Sequence, residues 1–121
     1  MKGMIYESEL KVLELLWEHG DTTAKQLALK LKETTGWSKT TSYTVIGKCV
    51  GKDLIRRSEP DFMCHVNVTR EEARQRESEI LIDKMFGGSS DLLIASLLGG
   101  AQATPEKISQ LRGEIEAMLV D

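Results

Sequence analysis

The sequence has few of the residues that mark several specialised classes of protein. Two of its 121 residues are cysteine and two are proline, which excludes a disulfide-stapled scaffold and a collagen-like or low-complexity chain. No run of about 18 apolar residues occurs, so we expect no membrane-spanning helix and no membrane partner. The first residues also lack the apolar stretch of a signal peptide, and we expect a cytoplasmic protein.

Metal and catalytic signatures are also scarce. Neither Cys49 nor Cys64 belongs to a Cys-x-x-Cys pair, so we expect reduced, buried thiols. The neighbouring Cys64 and His65 would point to opposite faces of a strand, which disfavours a shared metal ion. Without a glycine-rich phosphate loop, a histidine cluster or a supported Ser-His-Asp arrangement, we expect no cofactor, no metal and no enzyme activity.

What the chain does have is enough apolar surface to fold. It is 40% apolar with a net charge of -3, which indicates a packed protein of one or two small units. The charge is unevenly distributed: residues 21 to 57 carry eight basic and three acidic side chains, whereas residues 70 to 121 carry six basic and ten acidic ones. A basic block in an acidic protein is typical of a local polyanion-binding surface, although a solvated helix face would give the same count.

Hydrophobic periodicity predicts three short helices followed by a hairpin. The helices are expected over about 7–19, 24–36 and 39–52, with Gly20 and Gly36 as stops and Thr22, Thr23 and Ser38 as capping hydroxyls. Residues 55–59 and 62–67 alternate like strands around the turn at Pro60-Asp61. This order is that of a winged helix, in which the second and third helices form the helix-turn-helix.

Three further helices are expected in the remainder of the chain. Thr69 and Glu72 form a capping box for a helix to about Phe86, a short apolar helix follows over 91–98, and Thr104-Pro105 starts the last one. The fold class is therefore mainly α with a small β-hairpin wing: a winged helix-turn-helix domain over 1–69 and a three-helix dimerisation domain over 70–121.

About fifty residues cannot bury so many large aliphatic side chains by themselves, so a second copy of the chain is the simplest cover. Packing against the first domain is the alternative. The predicted dimerisation residues are Ile80, Leu81, Leu92, Leu93, Leu97, Leu111 and Ile115.

The third helix carries the candidate nucleic-acid contacts. Thr40, Thr44 and Lys48 share one face, small and hydroxylated, that suits the floor of a major groove. Gly47 and Gly51 would allow close approach of the backbone, and Arg56 and Arg57 at the base of the wing would extend the contact to phosphates. The predicted DNA-binding residues are Ser38, Lys39, Thr40, Thr41, Thr44, Lys48, Arg56 and Arg57.

Several segments resemble a known family, the penicillinase and methicillin-resistance repressors with their copper-responsive relatives. The resemblance lies in residues 9–20, 23–24, 36–41, 52–55, 85–89 and 92–98. It implies a winged-helix repressor that dimerises through its helical domain on palindromic operators of antibiotic-resistance or stress-response genes. It also implies that Ser38 starts the recognition helix and that Lys39, Thr40, Thr41, Thr44 and Lys48 face the DNA.

The chain departs from the family pattern at four places. Asp53 replaces the usual glycine and must adopt a left-handed or adjusted conformation, and Met63-Cys64-His65 replaces aromatic residues in the second wing strand. Ala95-Ser96-Leu97 occupies the neighbourhood of the Asn-Phe bond at which a sensor protease cuts some relatives, which puts this partner in doubt. No cysteine follows Cys64, so copper sensing through paired Cys-x-Cys motifs is not expected.

Two other classes of function remain open from the sequence. The winged helix could be a protein-interaction adaptor whose threonine-rich face meets a protein, or a thiol-based redox regulator acting through Cys64. Salt-dependent binding of duplex DNA would distinguish the repressor from the adaptor.

Overall fold

A computed structural model of the chain describes residues 3–99 and 104–119. Within these ranges the predicted fold class is confirmed. The elements are α1 (Glu7–His19), β1 (Thr22–Thr23), α2 (Ala24–Thr35), α3 (Lys39–Gly51), β2 (Ile55–Ser58), β3 (Met63–Val66), α4 (Arg70–Phe86), α5 (Ser90–Leu98) and α6 (Pro105–Leu119). None of these helices combines the length and the apolar character needed to cross a bilayer.

The chain forms two compact units, Met1–Glu77 and Ser78–Asp121. The division falls within α4, whose first turns belong to the first unit. Trp17 Nε1 donates to the Val68 carbonyl over 2.8 Å, and the Ile5 amide donates to Glu77 Oε1 over 2.5 Å. The first bond ties the residue pair before α4 to α1, and the second ties the middle of α4 to the segment before α1, which explains why residues 70–77 group with the winged helix. The boundary at residue 70 between a DNA-binding and a dimerisation domain stays a prediction.

Capping residues set the ends of the helices as expected. Thr23 Oγ1 accepts from the Gln26 amide at the start of α2, and Thr69 Oγ1 accepts from the Glu72 amide at the start of α4. Gly36, with φ of 78°, ends α2 in the left-handed conformation. Asp53 follows α3 with φ of 61°, the conformation expected where the family has glycine.

The sheet has one strand more than the sequence predicted. Its order is β1-β3-β2, with both pairs antiparallel, and Thr22 pairs with Cys64. Thr22 was expected only to offer a capping hydroxyl, yet it is buried as part of β1. The two-residue strand ties the turn after α1 to the hairpin, which we call the wing (residues 55–66).

The core of the first unit lies between α1, α2, α3 and the sheet. Its central side chains are fully or almost fully buried: Val12, Leu13, Leu16, Leu27, Leu31, Ile46, Cys49, Leu54, Ile55 and Cys64. The apolar stripe of α2, from Ala24 to Leu31, is buried. In α1, by contrast, helical spacing puts Leu10 in the apolar stripe, yet it is 36% exposed, while Glu9 is fully buried.

Glu9 is buried because it has charged and polar partners. Its Oε1 accepts from Lys52 Nζ over 2.7 Å and from the Tyr6 amide over 2.8 Å. Lys52 Nζ also donates to the Met4 carbonyl over 2.9 Å and lies 4.1 Å from the centre of the Tyr6 ring. This interaction joins the start of α1 to the residue that caps the end of α3.

Replacing Lys52 should therefore destabilise the fold. Lys52→Ala leaves the Glu9 carboxylate buried without its cation, and we expect a loss of about 3 kcal/mol in the free energy of unfolding. Urea denaturation followed by circular dichroism measures it. The matched control is Lys48→Ala, one turn earlier and exposed, with an expected change within about 0.5 kcal/mol. Equal stability of the two variants would contradict the role given to Lys52.

Candidate nucleic-acid interface

The helix-turn-helix is formed by α2, a connection of three residues and α3. Ser38 caps α3: its Oγ accepts from the Thr41 amide over 3.1 Å and donates to Thr41 Oγ1, also over 3.1 Å. Trp37, just before the cap, is partly buried against the core. The predicted start of the recognition helix is thus fixed by a hydroxyl cap on one side and an aromatic anchor on the other.

Only one side of α3 is buried. Ser42, Val45, Ile46 and Cys49 face the core, at the spacing i, i+3, i+4 and i+7. The side chains on the opposite side are exposed, and we call them the outer face of α3: Lys39, Thr40, Thr44 and Lys48.

Chemically, the outer face of α3 offers hydroxyls framed by cations. Thr44 Oγ1 donates to the Thr40 carbonyl over 2.9 Å, so its hydroxyl proton is used within the helix and its oxygen can accept a further hydrogen bond. Lys39 and Lys48 supply positive charge at the two ends of this face. The combination of short hydroxylated side chains and flanking cations suits contact with base edges and phosphates.

Gly47 and Gly51 lie exposed in α3 without a packing reason. A Cβ added at either position would meet nothing within 4 Å among the described residues. Because a glycine within a helix costs about 0.5–1 kcal/mol relative to alanine, internal packing does not explain them. Their bare backbone leaves room on the outside of α3.

The two wing arginines, both exposed, differ in their surroundings. Arg57 pairs with the Glu59 carboxylate, and its guanidinium lies 3.7 Å from the centre of the Phe62 ring. Arg56, on the other face of β2, has His65 as its cross-strand neighbour. Arg56 therefore offers its charge with less local neutralisation than Arg57.

Phe62 connects the wing to α3, a role that the sequence analysis missed. Its ring lies edge-on to Tyr43 of α3 with centroids 6.2 Å apart, and its carbonyl accepts from the Ala24 amide over 2.9 Å. Phe62 holds a φ of 50°, an unfavourable conformation for a bulky residue that surrounding contacts must maintain. The packing orients the wing with respect to α3.

Lys52 corrects the charge count of the basic block. The sequence count included it as one of eight cations, but its ammonium group is bound to Glu9. Seven cations of the block remain without Lys52. They are Lys39 and Lys48 on the outer face of α3, Arg56 and Arg57 on the wing, and Lys25, Lys30 and Lys32 on α2.

A second group missed by the sequence analysis lies on the sheet. His65 Nδ1 is 2.8 Å from Asp21 Oδ2, and His65 Nε2 is 2.8 Å from Ser58 Oγ. Asp21 is far from the other two residues in sequence, and all three meet because β1, β3 and β2 pair. The Asp21 side chain is 59% exposed, and such access of water disfavours an activated nucleophile. We interpret the group as a hydrogen-bond relay.

Both cysteines are buried, and their thiols favour the unreactive protonated form. Burial raises the pKa of the Cys49 thiol from 9.0 to about 12, and the nearby Glu9 carboxylate adds to the rise. Burial also raises the pKa of Cys64 to about 11, although the charge of Arg57 acts in the opposite direction. Cys64 faces the core while His65 lies on the other face of β3, as strand alternation predicts.

The second unit presents a largely uncovered apolar surface. Among its described residues, α5 has no buried side chain, although most of its side chains are aliphatic. Leu97 is 78% exposed, Leu92 56%, Ile115 48% and Leu81 44%. Ile80, Leu93 and Leu111 are partly buried. An ion pair between Asp91 and Arg112 joins α5 to α6.

The fold and the outer face of α3 define a class: a winged helix-turn-helix protein whose second helix in the motif carries a hydroxylated, basic outer face. The family model for the penicillinase repressor matches residues 5–117. The chain belongs to the penicillinase repressor family, and it is a DNA-binding repressor. The resemblance found in the sequence is thus confirmed.

A solved structure gives the same fold. The chain is similar to the solution structure of the DNA-binding domain of the repressor BlaI, with a TM-score of 0.53 and 21% identity. The match covers 60% of this chain and 93% of that one. No curated protein sequence gives a significant match.

The buried thiols should react slowly in the folded protein. Alkylation follows the thiolate fraction, which a rise of two pKa units lowers about a hundredfold. We expect iodoacetamide to modify Cys49 and Cys64 at least about a hundredfold more slowly in the native chain than in urea, as followed by mass spectrometry.

The control is Ser109→Cys on the exposed side of α6, whose introduced thiol should react at the same rate in both conditions. Rapid modification of native Cys64 would contradict its burial and would favour a thiol-based regulator.

Proposed function

We propose that the chain represses transcription as a homodimer bound to a palindromic operator, with one α3 in each of two successive major grooves. Two-fold symmetry of the dimer would match half-sites about one helical turn, roughly 34 Å, apart. The observation that carries the proposal is the outer face of α3: it is exposed, hydroxylated and basic, and α3 is the second helix of the helix-turn-helix. Repression would follow because the bound dimer excludes polymerase from the promoter.

Each predicted contact residue has a separate task in this proposal. Thr40 and Thr44 would meet base edges and thymine methyl groups, while Lys39 and Lys48 would meet phosphates on either side. Ser38 and Thr41 at the start of α3 would hold the first turn against the backbone, where helix amides favour anions. Arg56 and Arg57 would extend the contact from the wing.

The dimer would form through the apolar surface of the second unit. Burying an exposed leucine or isoleucine contributes about 1.5–3 kcal/mol. Leu81, Leu92, Leu97 and Ile115, together with Ile80, Leu93 and Leu111, would therefore supply a sufficient driving force. A C2 interface uses the same surface on both copies, so each of these residues would be buried once on each copy.

The proposed targets are genes for antibiotic resistance or stress response. This part rests on membership of the penicillinase repressor family. Release from DNA would require loss of either the DNA contacts or the dimer, because the avidity of two linked half-sites disappears with either one.

Phosphate contact by Lys48 predicts a change in salt dependence. With a duplex selected from a randomised pool by the full chain, wild-type affinity should fall steeply between about 50 and about 300 mM salt. Lys48→Ala should weaken binding about three- to tenfold and lower the slope of log Kd against log salt by about one. Fluorescence anisotropy measures both.

The matched control is Lys107→Ala on α6, which should leave the slope unchanged. Failure of the wild-type chain to bind any duplex at low salt would instead support the protein-interaction adaptor.

The proposed dimer interface predicts that a substitution at Leu97 changes the oligomeric state. Leu97→Asp places a charge on the apolar surface without disturbing the monomer, because this side chain is 78% exposed. We expect monomers in sedimentation equilibrium and a loss of about a hundredfold or more in operator affinity.

Leu29→Asp on α2 is the matched control, since Leu29 is 59% exposed but lies in the first unit. It should stay dimeric. A Leu97→Asp chain that sediments as a dimer would contradict the proposed interface.

A further inference from the structure

A hydrogen-bonded line of three side chains crosses the sheet at the wing. Asp21 precedes β1, His65 lies in β3 and Ser58 ends β2, so the imidazole stands between a carboxylate and a hydroxyl at 2.8 Å from each. Antiparallel register brings them together, since Thr22 pairs with Cys64 and Ser58 pairs with Met63. We call this line the wing relay.

The carboxylate fixes which ring nitrogen carries the proton in neutral His65. An ionised carboxylate can only accept, so Nδ1 must hold the hydrogen that bonds to Asp21. Nε2 is then bare and accepts the hydrogen of the Ser58 hydroxyl. In this state the Ser58 hydroxyl hydrogen is used in the bond to His65 Nε2, and Ser58 can offer only oxygen lone pairs to an approaching group.

Protonation of His65 reverses the bond at Ser58. Nε2 then carries a hydrogen and donates it to Ser58 Oγ, while Nδ1 still donates to Asp21. The hydroxyl hydrogen of Ser58 is released and can donate to an acceptor outside the protein. A DNA phosphate is such an acceptor. It has no hydrogen to donate to the oxygen lone pairs that Ser58 offers while His65 is uncharged.

The charged groups that face His65 have both signs. Asp21 faces it from the β1 side, and Arg56 is its cross-strand neighbour on β2. The core, including α1, packs on the opposite face of β3, against Cys64. A phosphate bound by Arg56 would offset the repulsion between that guanidinium and the imidazolium, so both cations can lie at one contact.

We propose that the wing relay couples proton uptake by His65 to contact between Ser58 and the DNA backbone, so that the repressor binds DNA more tightly at lower pH. The inference rests on the proposed function, because it needs the wing beside DNA. It adds Ser58 as a phosphate contact and His65 as the residue that positions its hydrogen. Because the bound state holds one proton more than the free state, affinity rises with decreasing pH.

The test compares the affinity of the full chain for the selected duplex at about pH 6 and about pH 8, at constant ionic strength. One linked proton changes affinity by at most about tenfold per pH unit. We expect the wild type to bind about tenfold more tightly at the lower pH. His65→Gln and Ser58→Ala should each bind equally at both pH values, and Ser58→Thr should restore the difference because it keeps the hydroxyl.

The matched control uses the other of the two histidines in the chain. His19→Gln should retain the full pH dependence, and circular dichroism at both pH values verifies that each variant is folded. Retention of the dependence in Ser58→Ala would overturn the relay, since the charge of His65 would then act without Ser58. If the wild type binds tightly and equally at both pH values, the wing relay is overturned but the proposed function stands. If the wild type does not bind DNA at all, both are overturned.

Discussion

The one-sided burial of α3 is the constraint on which the rest of the first unit depends. Val45, Ile46 and Cys49 fill the space between α1 and the sheet, and a helix buried along one stripe must expose the opposite one. The identity of the exposed residues is then free of packing requirements. Threonines and lysines occupy that side, together with glycines that internal contacts do not require.

The end of α3 is held by electrostatics rather than by apolar contact alone. The Glu9 carboxylate is fully buried and its Oε1 is shared by Lys52 and the Tyr6 amide. A buried ion pair adds little net stability over an apolar pair, but each half requires the other. The interaction therefore specifies a geometry, the position of the end of α3 against α1. The Tyr43–Phe62–Arg57 packing does the same for the wing.

The sequence predicted what depends on local chemistry and missed what depends on pairing between distant residues. Caps at Thr23, Ser38 and Thr69 determine helix starts through bonds three residues away, so they could be identified directly. Residues 22–23 are too short to show a strand period. Lys52 is indistinguishable from a surface lysine until Glu9 is placed beside it, and the wing relay exists only after three strands have paired. The predicted residues of α3 needed no such long-range information, because helical spacing alone assigns them to one side.

The most direct measurement is methyl NMR of the threonines in a saturated complex with the selected duplex. The account predicts that the Thr40 and Thr44 methyl signals shift and give nuclear Overhauser effects to DNA protons, whereas the Thr104 methyl signal, ahead of α6, stays where it was. Unchanged Thr40 and Thr44 signals in a fully bound complex would contradict the assignment of the outer face of α3 to DNA.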